Sequence, residues 1–459
     1  MRRYFAVAWF LFGFSLSGLA YAQTCNCKQE LAWLKGYMAA NYAGYEDKVA
    51  QNPRAYRQNW RAASARAGGI ATVLPCAAVL AGYLSFFRDG HLQLAFSADV
   101  FAGHTAATTR LPDPATIQRL RTSTGIEGIY QTADSAYTMA LVESPTAYRT
   151  HVGVVLESKV PGWQPGQVKL ELWLTSPASY AALVYMRDKS AAVRLGKWVP
   201  GQLFGGTWHR QGTLSAAAYV PSEPLIAQSL DKQTFYFRLG SCSPSLGTAV
   251  DSLLRVHADA IALRPYFILD IRGNGGGSDY VYGPLLRYLY AGPTVKIGTD
   301  VKATRDNLSA WEPLLALEPP LPPAEQKSLT ALLARMKEKP GAWVPASADD
   351  TVWFDAPTRH PSRIMVLQDR GVASSGEELL LFAAQSKKVT RLGQPSAGVL
   401  DYANMREKPL PHLPLTLLYA TTRSRRLDIG KGIDETGIPP DITLPEGQDA
   451  LPAARAMLR

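Results

Sequence analysis

The stretch from Ile364 to Gly398, IMVLQDRGVASSGEELLLFAAQSKKVTRLGQPSAG, constrains the fold of this chain more than any other. An apolar run of strand type, Ile364 to Leu367, breaks into a small-residue turn at Gly371 to Ser375, and a helical pattern starts at Gly376 or Glu377. This order places a serine on a strand-to-helix corner. A side-chain oxygen there stands above a sheet, and the unpaired N–H groups of the helix start point at whatever it attacks. A serine in this position can equally serve only as a helix cap. The corner therefore acquires chemistry only if other parts of the chain supply a base and further donors.

A second corner of the same kind lies upstream. Leu246 to Ala262 reads as an amphipathic helix, and Tyr266 to Ile271 is a continuous apolar run suited to a buried, largely parallel sheet. It leads into Arg272-Gly273-Asn274-Gly275-Gly276-Gly277. Four glycines at the carboxyl end of a buried strand mark a close approach of backbones, at the place where open α/β sheets bind ligands. The spacing is not G-x-G-x-x-G and no Gly-Lys-Ser/Thr follows, which disfavours a phosphate loop.

Residues 1–22 read as a secretory signal peptide: Arg2 and Arg3, an apolar stretch Phe5 to Leu19, and Ala20-Tyr21-Ala22 as a small-x-small cleavage site. The expectation is a periplasmic or secreted protein without a stable membrane span. The net charge of +10 is dispersed apart from Arg423, Arg425 and Arg426. Without a basic run interleaved with aromatics, nucleic-acid binding is not expected.

The rest of the chain divides by texture. Residues 23–116 form an N-terminal helical segment, with Asp89-Gly90 ending its last helix and His91 beginning the alternating run Leu92, Leu94, Phe96. Residues 117–239 carry short alternating runs separated by turns, from Ile129–Gln131 to Phe235–Leu239, which suggests an antiparallel sandwich or small barrel. Residues 240–459 alternate helix and strand, interrupted at 304–347 by a proline-rich and then helical segment that reads as a lid-like insertion. After the signal, the chain holds Cys25, Cys27, Cys76 and Cys242. Cys25-x-Cys27 lacks the second pair a zinc site needs, so no metal or other cofactor is expected, and pairing of one N-terminal cysteine with Cys76 is preferred.

Four motifs in order, Ile268 to Gly277, Ala373 to Glu377, Leu392 to Gly398, and Gly437-Ile438-Pro439-Pro440-Asp441, resemble the C-terminal-processing and tricorn-core serine peptidases. The resemblance covers Asp89 to His91 and most of residues 240–445. It implies an α/β catalytic domain of ClpP/crotonase-like type, with a mixed sheet and helices, beside the N-terminal helical segment and the β-rich middle domain. It also implies a peptide or protein substrate and an acyl-enzyme intermediate. In the branch that uses lysine as base, that lysine would stand 25 positions after the serine, where this chain has Val399. A valine takes no proton, so the resemblance points to the tricorn-like branch, whose base is a histidine matched here by His91. By the same resemblance Ser374 is the nucleophile, with Ser375 as the alternative. The amide of Ser375 and one from Gly275 or Gly276 form the oxyanion hole, and Asp434 or Glu435 orients the histidine. Two readings compete with a peptidase: an esterase or amidase using the same groups, and a non-catalytic ligand- or peptide-binding protein on the same fold. Oligomeric state does not follow from these residues.

Overall fold

The computed structural model describes residues 25–458 except 97–106, 133–134, 147, 177–178, 205–206, 213–219, 222, 318–319, 322 and 446. The segment read as a signal peptide lies outside the described residues. The chain forms a mixed α/β fold that opens with a group of helices and continues with several sheets and the helices packed on them.

The sheet that carries both glycine-bearing corners has six strands, in the order Leu225–Ser229, Thr234–Leu239, Tyr266–Asp270, Arg363–Gln368, Val389–Gly393 and Ile442–Thr443. The first pair is antiparallel and every later pair is parallel. Its central strands are unbroken apolar runs because both faces are covered. Phe267, Leu269, Ile364 and Val366 share a core with Val250, Leu254, Leu379 and Leu380 of the flanking helices. Ile268, Met365 and Leu367 pack against the C-terminal helix Ala450–Leu458. Tyr266–Asp270 and Arg363–Gln368 are direct neighbours, with Asp270 opposite Leu367. The glycine loop and the serine corner therefore leave the same sheet edge side by side.

A second sheet joins the two ends of the chain. Gln93–Phe96 pairs antiparallel with Leu415–Ser424, Gln93 opposite Leu418, and the latter strand also pairs with Thr299–Lys302 and Tyr402–Pro409. The helices Cys27–Asn41, Tyr45–Gln51, Pro53–Ala67 and Val73–Leu84 precede it. They dock on the C-terminal half through Tyr37 Oη to Tyr419 Oη (2.9 Å) and the Ala43 amide to the Ala420 carbonyl (3.1 Å). The disulfide Cys27–Cys76 ties the first of these helices to the fourth.

The alternating runs between residues 128 and 210 form one eight-stranded antiparallel sheet rather than the expected sandwich or barrel. Alternation reports that one face is covered, without saying by what. Here the cover includes the helix Val73–Leu84: a Cβ at Gly82 would stand 3.1 Å from the indole nitrogen of Trp173. Phe235–Leu239, read as the last strand of this unit, instead pairs parallel with Tyr266–Asp270. All six residues of Thr234–Leu239 are buried, which marks a strand covered on both faces. Within 304–347, the helices Arg305–Trp311 and Pro323–Glu338 close a small core of their own on Val301 and Val344. No described helix is long and apolar enough to cross a membrane.

The cross-link spans 49 residues of sequence. Replacing both cysteines, Cys27→Ala with Cys76→Ala, is expected to lower unfolding stability by about 2–4 kcal/mol, mainly by freeing the unfolded chain. Urea denaturation of the double variant against the oxidised parent measures this.

Candidate active site

Ser374 is held in a conformation that a residue with a Cβ rarely adopts, φ 52° and ψ −122°. The cause is its position between the strand Arg363–Gln368 and the helix Ser375–Ala383, where the chain must turn sharply over the sheet. The sequence follows a capping-box pattern, and the Glu377 carboxylate accepts a hydrogen bond from the Ser374 amide at 3.2 Å. The serine side chain faces the Glu377 amide in capping-box geometry, while that amide donates to the Ser374 carbonyl at 2.8 Å. The hydroxyl also lies 3.3 Å from Nε2 of His91, across 283 residues of sequence.

The two loops at the sheet edge are locked together. Asp369 Oδ1 accepts from the amides of Gly273 (2.8 Å) and Gly371 (2.9 Å), and the Ala373 amide donates to the Asn274 carbonyl at 2.9 Å. Burial pushes the Asp369 carboxyl above its usual range. Gly276, at φ +98°, sits directly on the corner: a Cβ there would fall 2.7 Å from Ser374 Cβ and 2.9 Å from the Ala373 carbonyl oxygen. Of the two glycine amides open as oxyanion donors, that of Gly276 already donates to Asn274 Oδ1 at 3.0 Å. Among the described residues, the amides of Gly275 and Ser375 donate no hydrogen bond. Ser375, the alternative nucleophile, is buried in the first helical turn.

Glu377 organises the other wall. Its side chain is fully buried and receives four donors: the amides of Ser374, Val399 (2.8 Å) and Gly398 (2.7 Å), and the Ser396 hydroxyl (2.5 Å). This holds Val399 beside the corner, where its carbonyl accepts from the Ser374 amide at 3.1 Å. Val399 in turn packs on Gly90, since a Cβ on that glycine would come within 2.9 Å of both valine methyls. Gly90 was expected to end the preceding helix, but that role falls to Arg88, which takes the left-handed conformation at φ 47°. The glycine is required instead because Val399 occupies the space where its side chain would go.

Neither carboxylate expected to orient His91 contacts it. Asp434 Oδ1 accepts from the amides of Leu400 (3.0 Å) and Asp401 (2.8 Å), and its Oδ2 lies 3.8 Å from Lys48 Nζ. Glu435 pairs with Lys48 (3.4 Å) and Arg88 (3.2 Å). Backbone amides and cations claim both side chains, a competition that spacing along the sequence does not display. Burial, followed by repulsion from Asp89 and Asp401, pushes the Asp434 carboxyl up to about 7.

Sequence reasoning passed over three contributors. Glu377 served only as a motif marker, although its place three residues after a serine at a helix start is a capping-box signal. Asp89 was read as a helix stop, although an aspartate two residues before an amide commonly accepts from it. Asn274, whose side chain holds the Gly276 amide and also donates to the Leu239 carbonyl at 3.0 Å, carried no local signal.

This architecture can be compared with known proteins. Residues 237–444 match the model of peptidase family S41. The match runs from the strand beside the glycine loop to the last strand of the six-stranded sheet, and so includes both corners. The fold is similar to the crystal structure of mature CPAF, with a TM-score of 0.51 and 14% identity over 92% of this chain and 92% of that one. It is similar to the structure of mature CPAF complexed with lactacystin to the same degree, TM-score 0.51 and 14% identity, over 92% of this chain and 94% of that one. No curated protein matches the chain.

Two outcomes follow. Gly276→Ala should destroy the corner, lowering any serine-directed labelling by more than about 100-fold, the scale of losing a preorganised oxyanion donor. Active-site titration beside circular dichroism measures it. The raised Asp434 pKa means that the folded state favours the protonated acid. This contribution to stability is therefore lost as pH rises from the unfolded value of 3.8 through about 7, and is constant above. Asp434→Asn keeps the Oδ1 acceptor and removes the titration. Its Tm relative to the parent should be higher at pH 8 than at pH 5, as thermal melts at the two pH values would record.

Proposed function

We propose that this protein is an exported serine peptidase of the tricorn-like, Ser-His type, with Ser374 as nucleophile and His91 as general base. The observation that carries this reading is the approach of His91 Nε2 to Ser374 Oγ, 3.3 Å, at a strained strand-to-helix corner. A contact of this length is within the looser range of free enzymes, where catalytic hydrogen bonds tighten on substrate binding.

The chemistry follows from the placement. As Ser374 Oγ attacks a peptide carbonyl, His91 Nε2 takes its proton and the carbonyl π electrons move onto oxygen. The oxyanion meets the amides of Ser375 and Gly275, which lie on two loops leaving one sheet edge and have no competing acceptor among the described residues. Collapse breaks the C–N bond, and the proton on His91 passes to the leaving amine. Water then repeats the sequence on the acyl-enzyme, again through His91, and releases the acid. Val399, packed on Gly90, occupies the region where a lysine base would have to stand. That placement supports the histidine branch. The ClpP/crotonase-like assignment belongs to the same reading and is supported by parallel strands that deliver both corners to one edge. A periplasmic or secreted location is supported by residues 1–22 together with the Cys27–Cys76 disulfide, a bond that persists in oxidising compartments.

A fluorophosphonate reagent tests the reading directly. The parent protein should label on one serine, Ser374→Ala should not label, and His91→Ala should label about 10²- to 10⁴-fold more slowly. A folded parent that reacts with no activated acyl or phosphonyl reagent would instead be a binding protein on a peptidase fold.

A further inference from the structure

We propose that Asp89, two residues before the base, is the positioning carboxylate of His91, in place of any acid from the 434–437 turn. This inference rests on the reading of His91 as general base.

A neutral histidine that accepts a proton at Nε2 carries its own proton on Nδ1, and catalysis needs an acceptor there to hold that tautomer and to balance the imidazolium. In the structure, His91 Nδ1 is buried without a hydrogen-bond partner, and the whole residue is 6% exposed. The carboxylate that reaches it within ion-pair distance is Asp89, whose Oδ1 lies 3.7 Å away. That side chain is fully buried and already aimed. Oδ1 accepts from the His91 amide at 2.8 Å, Oδ2 accepts from Tyr42 Oη at 2.8 Å, and the Asp89 carbonyl accepts from the Leu92 amide at 3.1 Å. Shortening this separation by about an ångström would give an N–H···O bond of ordinary length.

The competing acids are differently employed. Asp434 is spent on two backbone amides and Glu435 on Lys48 and Arg88. Asp401 accepts from the amides of Ile433 and Asp434 and lies 3.5 Å from Arg426. The groups that face Asp89 are Tyr42 and His91, which contact it, and Asp434, which repels it; Arg88, next in the chain, turns to Glu435. The elevation of the Asp434 carboxyl to about 7 fits this division, because that acid is half protonated near neutrality and offers His91 only part of a charge. Tyr42, held well above its usual range by burial and by Asp89, stays a donor throughout.

The test compares Asp89→Asn with Asp434→Asn in two readouts, fluorophosphonate labelling against pH and the His91 pKa followed by NMR of its ring protons. The asparagine in Asp89→Asn keeps an acceptor for the His91 amide while losing the charge. Removing a negative neighbour destabilises the imidazolium, so the His91 pKa should fall by about one unit or more. The acidic limb of the labelling profile should move down with it, and the plateau should drop about 10²- to 10⁴-fold. Asp434→Asn should change the plateau by less than about threefold. The proposal is overturned if Asp434→Asn reproduces the loss while Asp89→Asn does not, or if Asp89→Asn lowers Tm without moving the His91 pKa, the mark of a purely structural turn cap. Should Asp89→Asn fold poorly, Asp89→Ser retains a turn-capping oxygen without the charge, and the same shifts are expected. If the parent does not label but its His91 pKa still falls in Asp89→Asn, the peptidase reading fails while the positioning by Asp89 stands.

Discussion

A carboxylate with no exposure to water survives in a fold only when donors surround it, and Glu377 has four. Three of them are backbone amides, so the acid acts on the path of the main chain. It holds the helix start that carries Ser374, and it draws residues 396–399 against that start. Val399 is thereby presented to Gly90, next to His91. The serine corner, the loop behind it and the histidine turn are in this way one packed unit, although they come from widely separated parts of the chain.

The rest of the molecule supplies the two frames this unit needs. Parallel pairing of Tyr266–Asp270 with Arg363–Gln368 sets the glycine loop and the serine corner in register, so the amides of Gly275 and Ser375 emerge on the same edge. Antiparallel pairing of Gln93–Phe96 with Leu415–Ser424 delivers His91 from the other end of the chain. Helices 27–84 brace the second frame through tyrosine hydroxyls, Tyr37 on Tyr419 and Tyr42 on Asp89. A buried tyrosine satisfied by a distant partner fixes orientation as well as distance. The disulfide within these helices ties together a part of the fold that lies far in sequence from Ser374.

Acids near the site illustrate how environment divides like groups. Asp434 is pushed toward the neutral form by burial and by its neighbours Asp89 and Asp401. Asp401 is met by two amides and by Arg426, Asp89 by an amide and a tyrosine hydroxyl. Similar carboxyls thus meet different donors, and burial raises the one at Asp434.

Much of this was legible in residues alone. The continuous apolar runs 266–271 and 364–367, each ending in small residues, announce buried parallel strands with functional corners, because a strand covered on both faces has no polar alternation to keep. The turn that carries His91 also reads from residue order, whereas Val399 acquires meaning only through the resemblance to the peptidase family. Alternation in residues 128–210 showed strands but not their partner: a helix and a second sheet bury the same side chains, and the structure has one sheet of eight strands with a helix on it. The identity of the acid beside His91 lay beyond the sequence for a related reason. Asp89, Asp434 and Glu435 are equivalent as residue types, and which one is free to face an imidazole depends on which amides and cations the folded chain brings to the others. Residue type and spacing by themselves determined the strands, the corners and the kinds of group on them. Tertiary structure decided which of those groups meet, because burial, competing donors and charge exist only once distant segments are packed together.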